Sequence, residues 1–390
     1  MNDTTLDSLI VLRSLTADGV FSALAGLCRR GGDEALALFA GEVIAAGAER
    51  DLLGYAAERI LCDENAFSVC CARGRQPSAQ LKRAFMHDVN AIFGCINMHK
   101  SEFSQYVETG SLPAVFSDGD GRMADRLCKF YAENGYGKFI KNCAFSYEDG
   151  KLVPIGNPAA VTLDELKGYA DEKRAIDANI VSFLRGLPYS NMLLYGDRGT
   201  GKSSTVHAML NKYRGSGLRL VEINRENMLE LPRIRQQLME NPLKFIIFID
   251  DLSLNEGDEK ISGLKAALEG SVSGRTDNTM IVATSNRRHI VKENFSDREN
   301  SVHVNDSMQE QLSLSDRFGI TVLFSSTDKR TYLDIVSQLA RDCGLKADEK
   351  LLALAERWAL VKGGRSPRRA KQFTDLMLSC KMLGLSLIHI

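Results

Sequence analysis

The sequence predicts an α/β sandwich on a five-stranded parallel sheet, with an all-helical domain before it and a small helical bundle after it. Three observations lead there. Five short apolar runs alternate with helical stretches such as SSTVHAMLNKY and GLKAALEG. The runs are MLLYG (192–196), LRLVEI (218–223), FIIFID (245–250), MIVAT (280–284) and ITVLF (320–324). Near-continuous apolar strands joined by helical crossovers are the pattern of a parallel sheet covered on both faces. The residues on either side of this region instead place apolar side chains at three- and four-residue steps, the period of helices with one buried face.

Taken in order, residues 1–155 read as a helical accessory domain. LDSLIVLRSL, EALALFAGEVIAAGAERDLLGYAAERIL and DRLCKFYAENGYGKFI are each expected to be amphipathic helices, separated by breaks such as GRQPSAQ and SDGDG. The stretch shows no repeat period and no catalytic constellation. SYEDGKLVPIGNPAAVTLDEL reads as a connector, in which Thr162 and Glu165 have the spacing of a capping box. The sandwich is expected over residues 160–328. The closing bundle, residues 329–383, contains TYLDIVSQLARDCG, EKLLALAERWALVKG and SPRRAKQFTDLMLSC.

The chain has 390 residues, room for two or three domains. A net charge of −1 supplies no global field toward nucleic acid or anionic lipid, so any basic surface is local. The nine cysteines form no CxxC or Cys/His pattern of zinc spacing, which favours reduced thiols in a cytosol; the neighbours Cys70 and Cys71 are read as helix packing. The N-terminus lacks a basic segment followed by a long apolar core, and no apolar run approaches the length needed to cross a bilayer. The expectation is a cytoplasmic protein without a membrane partner. The last residues, LSLIHI, look like translated sequencing-adapter read-through, so the natural C-terminus is expected to differ.

The chemistry concentrates in GDRGTGKSS, which fits G-x-x-x-x-G-K-[ST] between an apolar strand and a helix. Gly196, Asp197, Arg198, Gly199, Thr200, Gly201, Lys202, Ser203 and Ser204 would form a phosphate loop. Its glycines let backbone amides curl around phosphates, and the following helix N-terminus adds positive potential. Lys202 would reach the β and γ phosphates of ATP, and the Ser203 hydroxyl would ligate Mg2+. FIIFIDDLS ends a strand in two acids: Asp250 would hold the metal, directly or through water, and Asp251 would polarise the attacking water. MIVATSN ends the next strand in polar groups, where Asn286, or less favourably Thr284, would orient that water. Arg317, immediately before the fifth strand, can project into a neighbouring subunit's site and stabilise charge on the transferring phosphate. In GGRSPRRAKQF, Ser366 would cap a helix from whose start Arg368 reaches the γ phosphate in cis, ahead of Arg365 and Arg369.

The order of phosphate loop, acidic strand end, polar strand end, arginine before strand five and arginine in a helical lid resembles the AAA+ superfamily. LKGYADEKRAIDANIVSFLRGLPYSNMLLYGDRGTGKSS, DDLS, TSNRRHIV and LSLSDRFG look like the bacterial ATPases grouped as domain of unknown function 815. The resemblance covers residues 162 to about 380. It implies a P-loop NTPase sheet in which strand five neighbours strand one, followed by four, three and two. It also implies a helical lid, and a homo-oligomer with sites between subunits. Residues 169–176 would line the adenine pocket. One departure matters: Asp251 stands where many such enzymes carry glutamate, which puts fast turnover in doubt.

The leading expectation is therefore an ATPase that couples ATP binding and hydrolysis to remodelling or loading of a macromolecular partner, protein or DNA. The alternative is a slow-turnover ATP-dependent switch or assembly scaffold. A small-molecule kinase is disfavoured by the polar strand end and the arginine-bearing bundle. The basic segments KRAFMH, SNRRH and SPRRAK could line a channel in a ring. The long polar stretch 291–314 reads as a lid, a substrate loop or an oligomer contact.

Overall fold

The computed structural model describes residues 6–117, 121–252, 254–255, 263–265, 267–268, 278–286, 291–292 and 317–384. The chain divides into two compact units, residues 1–142 with 240–243, and residues 143–239 with 244–390.

The first unit is helical. Its helices are α1 (Gly19–Arg30), α2 (Gly32–Ala45), α3 (Leu52–Leu61), α4 (Ala66–Ala72), α5 (Ala79–Met98), α6 (Lys100–Phe103), α7 (Met123–Asn134) and α8 (Lys138–Lys141). Fully buried aromatics fill its core, among them Phe39, Phe67, Phe85 and Phe103, and the rings of Phe67 and Phe85 stack at 4.1 Å. All three expected helices take other forms; DRLCKFYAENGYGKFI breaks into α7 and α8, with Gly135 and Gly137 between them both at positive φ. LDSLIVLRSL folds as two short 3-10 turns, Leu6–Ser8 and Arg13–Ala17. The reason is Asp88 on α5. Its fully buried carboxylate accepts from the backbone amides of Ile10, Val11 and Leu12 at 2.6–3.0 Å, drawing away donors that a helix would use internally. The long Ala-rich run breaks into α2 and α3, because Gly47 turns left-handed and Asp51 caps α3 through the Gly54 amide. The described cysteines are all free thiols, and Cys71 meets Cys128 across α4 and α7 at 2.9 Å rather than its neighbour Cys70.

The second unit is built on a seven-stranded sheet. Its strands are β1 (Ala144–Glu148), β2 (Lys151–Pro154), β3 (Met192–Gly196), β4 (Leu218–Ile223), β5 (Lys244–Ile249), β7 (Thr279–Ser285) and β9 (Ile320–Phe324), in the order β2-β1-β4-β5-β7-β3-β9. The backbone of β6 (Leu254–Asn255) and β8 (Val291–Lys292) pairs separately. The five strands expected from the sequence are parallel neighbours in the order the AAA+ resemblance implies, with β9 beside β3, then β7, β5 and β4. The strand count is the correction. SYEDGKLV, expected as a connector, is an antiparallel hairpin, β1–β2, that adds to the sheet through β1 against β4. Asp149 and Gly150 both take positive φ at its turn, the geometry that an Asp-Gly pair favours in two-residue hairpins.

Alternation explains why the strands read as unbroken apolar runs. Leu194, Ile246, Phe248, Met280, Val282 and Val322 pack on one face with Ile176, Ile180 and Phe183 of α9 (Ala170–Leu184) and Val206 and Met209 of α10 (Lys202–Tyr213). Leu193, Ile247 and Ile281 on the opposite face are buried as well, as are Leu231, Ile234 and Leu238 of α11 (Leu231–Leu238). Thr162 and Glu165 bond to each other at 2.8 Å, but residues 163–166 form a turn and not a helix. The lid consists of α12 (Lys329–Asp342), α13 (Glu349–Val361) and α14 (Pro367–Leu383), joined through Tyr332, Ile335, Ala355, Ala359, Phe373 and Met377. No described helix is long and apolar enough to cross a membrane. Residues 293–314 of the polar stretch, the Arg287–Arg288–His289 segment and the closing 385–390 lie outside the described residues.

Replacing Asp88 by alanine would strand three backbone donors beside a cavity. It is expected to destabilise the helical unit by about 3 kcal/mol, measured by urea unfolding.

Candidate functional site

The loop between β3 and α10 owes its course to three glycines. Gly196 leaves the sheet at φ 129°, and a β-carbon there would lie 2.1 Å from the Phe324 carbonyl oxygen on β9. Gly199 and Gly201 follow at φ 78° and 97°, conformations that side chains oppose. Short bonds fix the curl: the Asp197 amide donates to Phe324 O at 3.1 Å, and buried Thr200 donates through Oγ1 to Asp197 O at 2.9 Å. Helix α10 therefore begins at Lys202, where first-turn amides lack intrahelical partners and the helix dipole presents positive potential.

Opposite the loop, β5 and β7 end in a hydrogen-bonded cluster. Ser203 Oγ donates to Asp250 Oδ1 at 2.6 Å. Asn286 Nδ2 donates to Asp251 Oδ1 at 2.5 Å, while its Oδ1 accepts from Lys202 Nζ at 3.2 Å. The same ammonium donates to the carbonyls of Gly196 and Asp197, both at 2.8 Å. Only 7% of Lys202 is exposed, and burial lowers its pKa from the ordinary lysine value. The carboxylates of Asp197, Asp250 and Asp251 oppose that shift, and Arg368 adds to it. This constellation suits a polyanion that brings a divalent cation: Lys202 and the helix start can take phosphate charge, and the Ser203 hydroxyl with the Asp250 carboxylate supplies hard oxygen donors.

A cavity of about 680 Å³ opens over these groups, within the range of small-ligand sites. Arg198, Gly199, Gly201, Lys202, Ser203 and Ser204 line it from the loop, and Asp250, Asp251, Thr284 and Asn286 from the strand ends. The lid closes it with Ile335 and Leu339 of α12 and Pro367, Arg368, Lys371, Gln372 and Asp375 of α14. Lid and loop also meet through the main chain, where the Arg368 amide donates to Gly199 O at 3.1 Å. Ser366 caps α14 by accepting from the Arg369 amide.

Residues 140–381 match the family described as "Protein of unknown function (DUF815)", more than half of the chain. The chain belongs to the DUF815 family. It is also similar to "AAA-ATPase At2g46620" of Arabidopsis thaliana, at 28% identity over 151 residues. That match takes in 36% of this chain and spans only 29% of the plant protein. Among solved structures it resembles the Thermotoga maritima RuvB Holliday junction branch migration motor, with a TM-score of 0.40 and 16% identity. A lysine-to-arginine variant of the same motor gives 0.41 and 16%. Each structural match covers 57% of this chain and 66% of the motor.

In this DUF815 chain some expected site residues stand away from the cavity. Thr200 shapes the loop through Asp197 O, and the carbonyls of Gly196 and Asp197 hold Lys202 from behind. Arg317 is half-buried just before β9 and is not among the lining residues. Of the lid arginines, Arg368 lines the cavity, whereas Arg365 is paired with Glu356, its Nε 3.1 Å from both carboxylate oxygens. Tyr169 takes a left-handed conformation before α9, and its hydroxyl donates to Ser325 O at 2.5 Å. It borders a small recess that shares Leu166, Lys167, Gly201 and Pro367 with the main cavity, and Ile176 is buried in the sheet core. The sequence reading missed Lys371, Gln372 and Asp375, although they follow Arg368 at three-, four- and seven-residue steps, one face of a helix. It also missed Glu165 and Lys167 on the turn before α9.

The loop glycines should separate in a substitution series. Gly196→Ala is expected to cost at least about 3 kcal/mol, because a backbone oxygen must move. Gly201→Ala meets nothing within 4 Å and bears only left-handed strain, about 1–2 kcal/mol. Denaturant unfolding of the two variants checks the difference.

Proposed function

We propose that this chain binds ATP with Mg2+ in the cavity and hydrolyses it, and that the cycle drives remodelling or loading of a macromolecular partner. The observation that carries the reading is the single bonded network that ties the Lys202 ammonium, Asn286 and Asp251 together beside the Ser203–Asp250 pair. Similarity to an Arabidopsis AAA-ATPase supports the class.

In this reading the loop amides and Lys202 hold the β and γ phosphates, and Ser203 and Asp250 bind the metal. Bound Mg2+ would neutralise charge as it develops on the phosphates. Asp251 takes the proton of the attacking water, and Asn286 fixes the orientation of that carboxylate. Arg368 approaches the γ phosphate from the lid of the same subunit. Arg317 serves the site of a neighbouring copy in a homo-oligomer, consistent with its place outside its own cavity. The reading places the cycle in the cytoplasm. The tethering of Asp251 to Asn286 and its short side chain favour one alternative, a slow-turnover switch that assembles on ATP.

Hydrolysis across protein concentrations tests the proposal. Lys202→Ala should abolish ATP binding and turnover. Arg317→Ala should keep ATP affinity and lose turnover on the order of 10³-fold, with the wild-type rate rising as protein concentration increases. ATP binding at background turnover in every condition would leave the switch, and no ATP binding by the wild type would end the reading. The depressed Lys202 pKa adds a pH signature. Phosphates favour its charged form, so ATP binding should take up protons on the alkaline side and weaken as pH rises through the lowered pKa. Calorimetry in buffers of different ionisation enthalpy reads that uptake.

A further inference from the structure

Two consecutive residues of a strand point to opposite faces, yet Asp250 and Asp251 both line the cavity. The backbone achieves this by leaving the strand: β5 ends at Ile249, and Asp251 takes φ 50°, left-handed without being glycine. Asp tolerates that conformation better than most residues but still needs surroundings that hold it there.

The holding group is on the neighbouring strand. Thr284, 2% exposed near the end of β7, uses its one hydroxyl twice. Oγ1 donates to Asp250 Oδ1 at 2.5 Å and accepts from the Asp251 amide at 2.9 Å. The Thr284 carbonyl then accepts from the Leu252 amide at 2.7 Å, so three successive residues of the turn are tied to this one residue. Asp250 Oδ1 thereby receives two hydroxyls, Ser203 from the loop and Thr284 from the sheet, which leaves its orientation little freedom.

We propose that Thr284 is a positioning residue, whose hydroxyl aims Asp250 at the metal and locks the left-handed turn that brings Asp251 into the same cavity. The inference rests on the reading of the cavity as an ATP-Mg2+ site. In this role Thr284, although it borders the cavity, acts through the two carboxylates rather than on the nucleotide. Valine has the same shape and strand preference and lacks only the hydroxyl, whereas serine keeps the hydroxyl and loses the methyl.

The test compares full-length wild type, Thr284→Val and Thr284→Ser. The readouts are ATP binding in the presence of chelator, the Mg2+ concentration giving half-maximal hydrolysis, and kcat and KM. Thr284→Val should bind metal-free ATP within about threefold of wild type. Its kcat should fall, and its Mg2+ requirement rise, by about 10- to 100-fold, the usual effect of removing an orienting partner. Thr284→Ser should restore both to within about threefold. Wild-type kcat and Mg2+ midpoint in Thr284→Val would overturn the inference, as would Thr284→Ser failing as badly as valine. Should Thr284→Val not fold, Thr284→Cys, close in size to serine but a poor donor, replaces it. If the wild type binds ATP without turning over, the Mg2+ midpoint of binding supplies the same comparison, so the inference is judged separately from hydrolysis. A wild type that binds no nucleotide ends both.

Discussion

Where β3 meets β9, the Phe324 carbonyl occupies the place a side chain on residue 196 would need. Only glycine lets the two strands keep their register to the end, with Gly196 opposite Phe324, and then lets the chain turn at φ 129° into the loop. Much else follows from that close approach. It delivers the Asp197 amide to Phe324 O, and it leaves the carbonyls of Gly196 and Asp197 facing inward to receive the Lys202 ammonium. The loop is thus anchored to an edge strand whose own pairing is set by the parallel sheet, and the position of the lysine is inherited from backbone geometry.

The charges at the strand ends are arranged so that no ionised group stands alone. Lys202 is half of a chain that runs through the Asn286 amide to Asp251, while Asp250 collects hydroxyl donors from two sides. Burial penalises the lysine cation, and the nearby carboxylates offset part of that penalty. An incoming polyphosphate would therefore replace neutral carbonyl partners with anionic ones.

The five central strands were legible because burial on both faces leaves a continuous apolar run, and each run ends within about two residues of the observed strand. GDRGTGKSS was legible because its glycines carry the loop's unusual dihedrals. What escaped the reading depended on distant partners. Nothing in LDSLIVLRSL says that Asp88 takes its amides, and the hairpin at Asp149–Gly150 was hidden by a turn signal inside a polar segment. The cavity face of α14 showed a helical spacing, but which face of that helix would be turned to the loop is a property of the lid's packing through Ala370, Phe373 and Met377. Thr284 was noticed as a polar strand end, but its bonds to the Asp250 carboxylate and the Asp251 amide depend on a chain segment more than thirty residues away, which no local pattern reveals.

The bond from the Arg368 amide to Gly199 O has a consequence of its own. It is written in main chain on both sides, so drift of the side chains at either position leaves it intact, and only a proline at 368 would delete it. The start of α14 is therefore tied directly to the loop that the proposed function assigns to phosphate binding. A displacement of the loop would be passed to a helix running from Pro367 to Leu383, about 25 Å long at the usual rise per residue. A small rotation at the Pro367 end would be amplified over this length, at whose far end exposed Met382 and Leu383 lie.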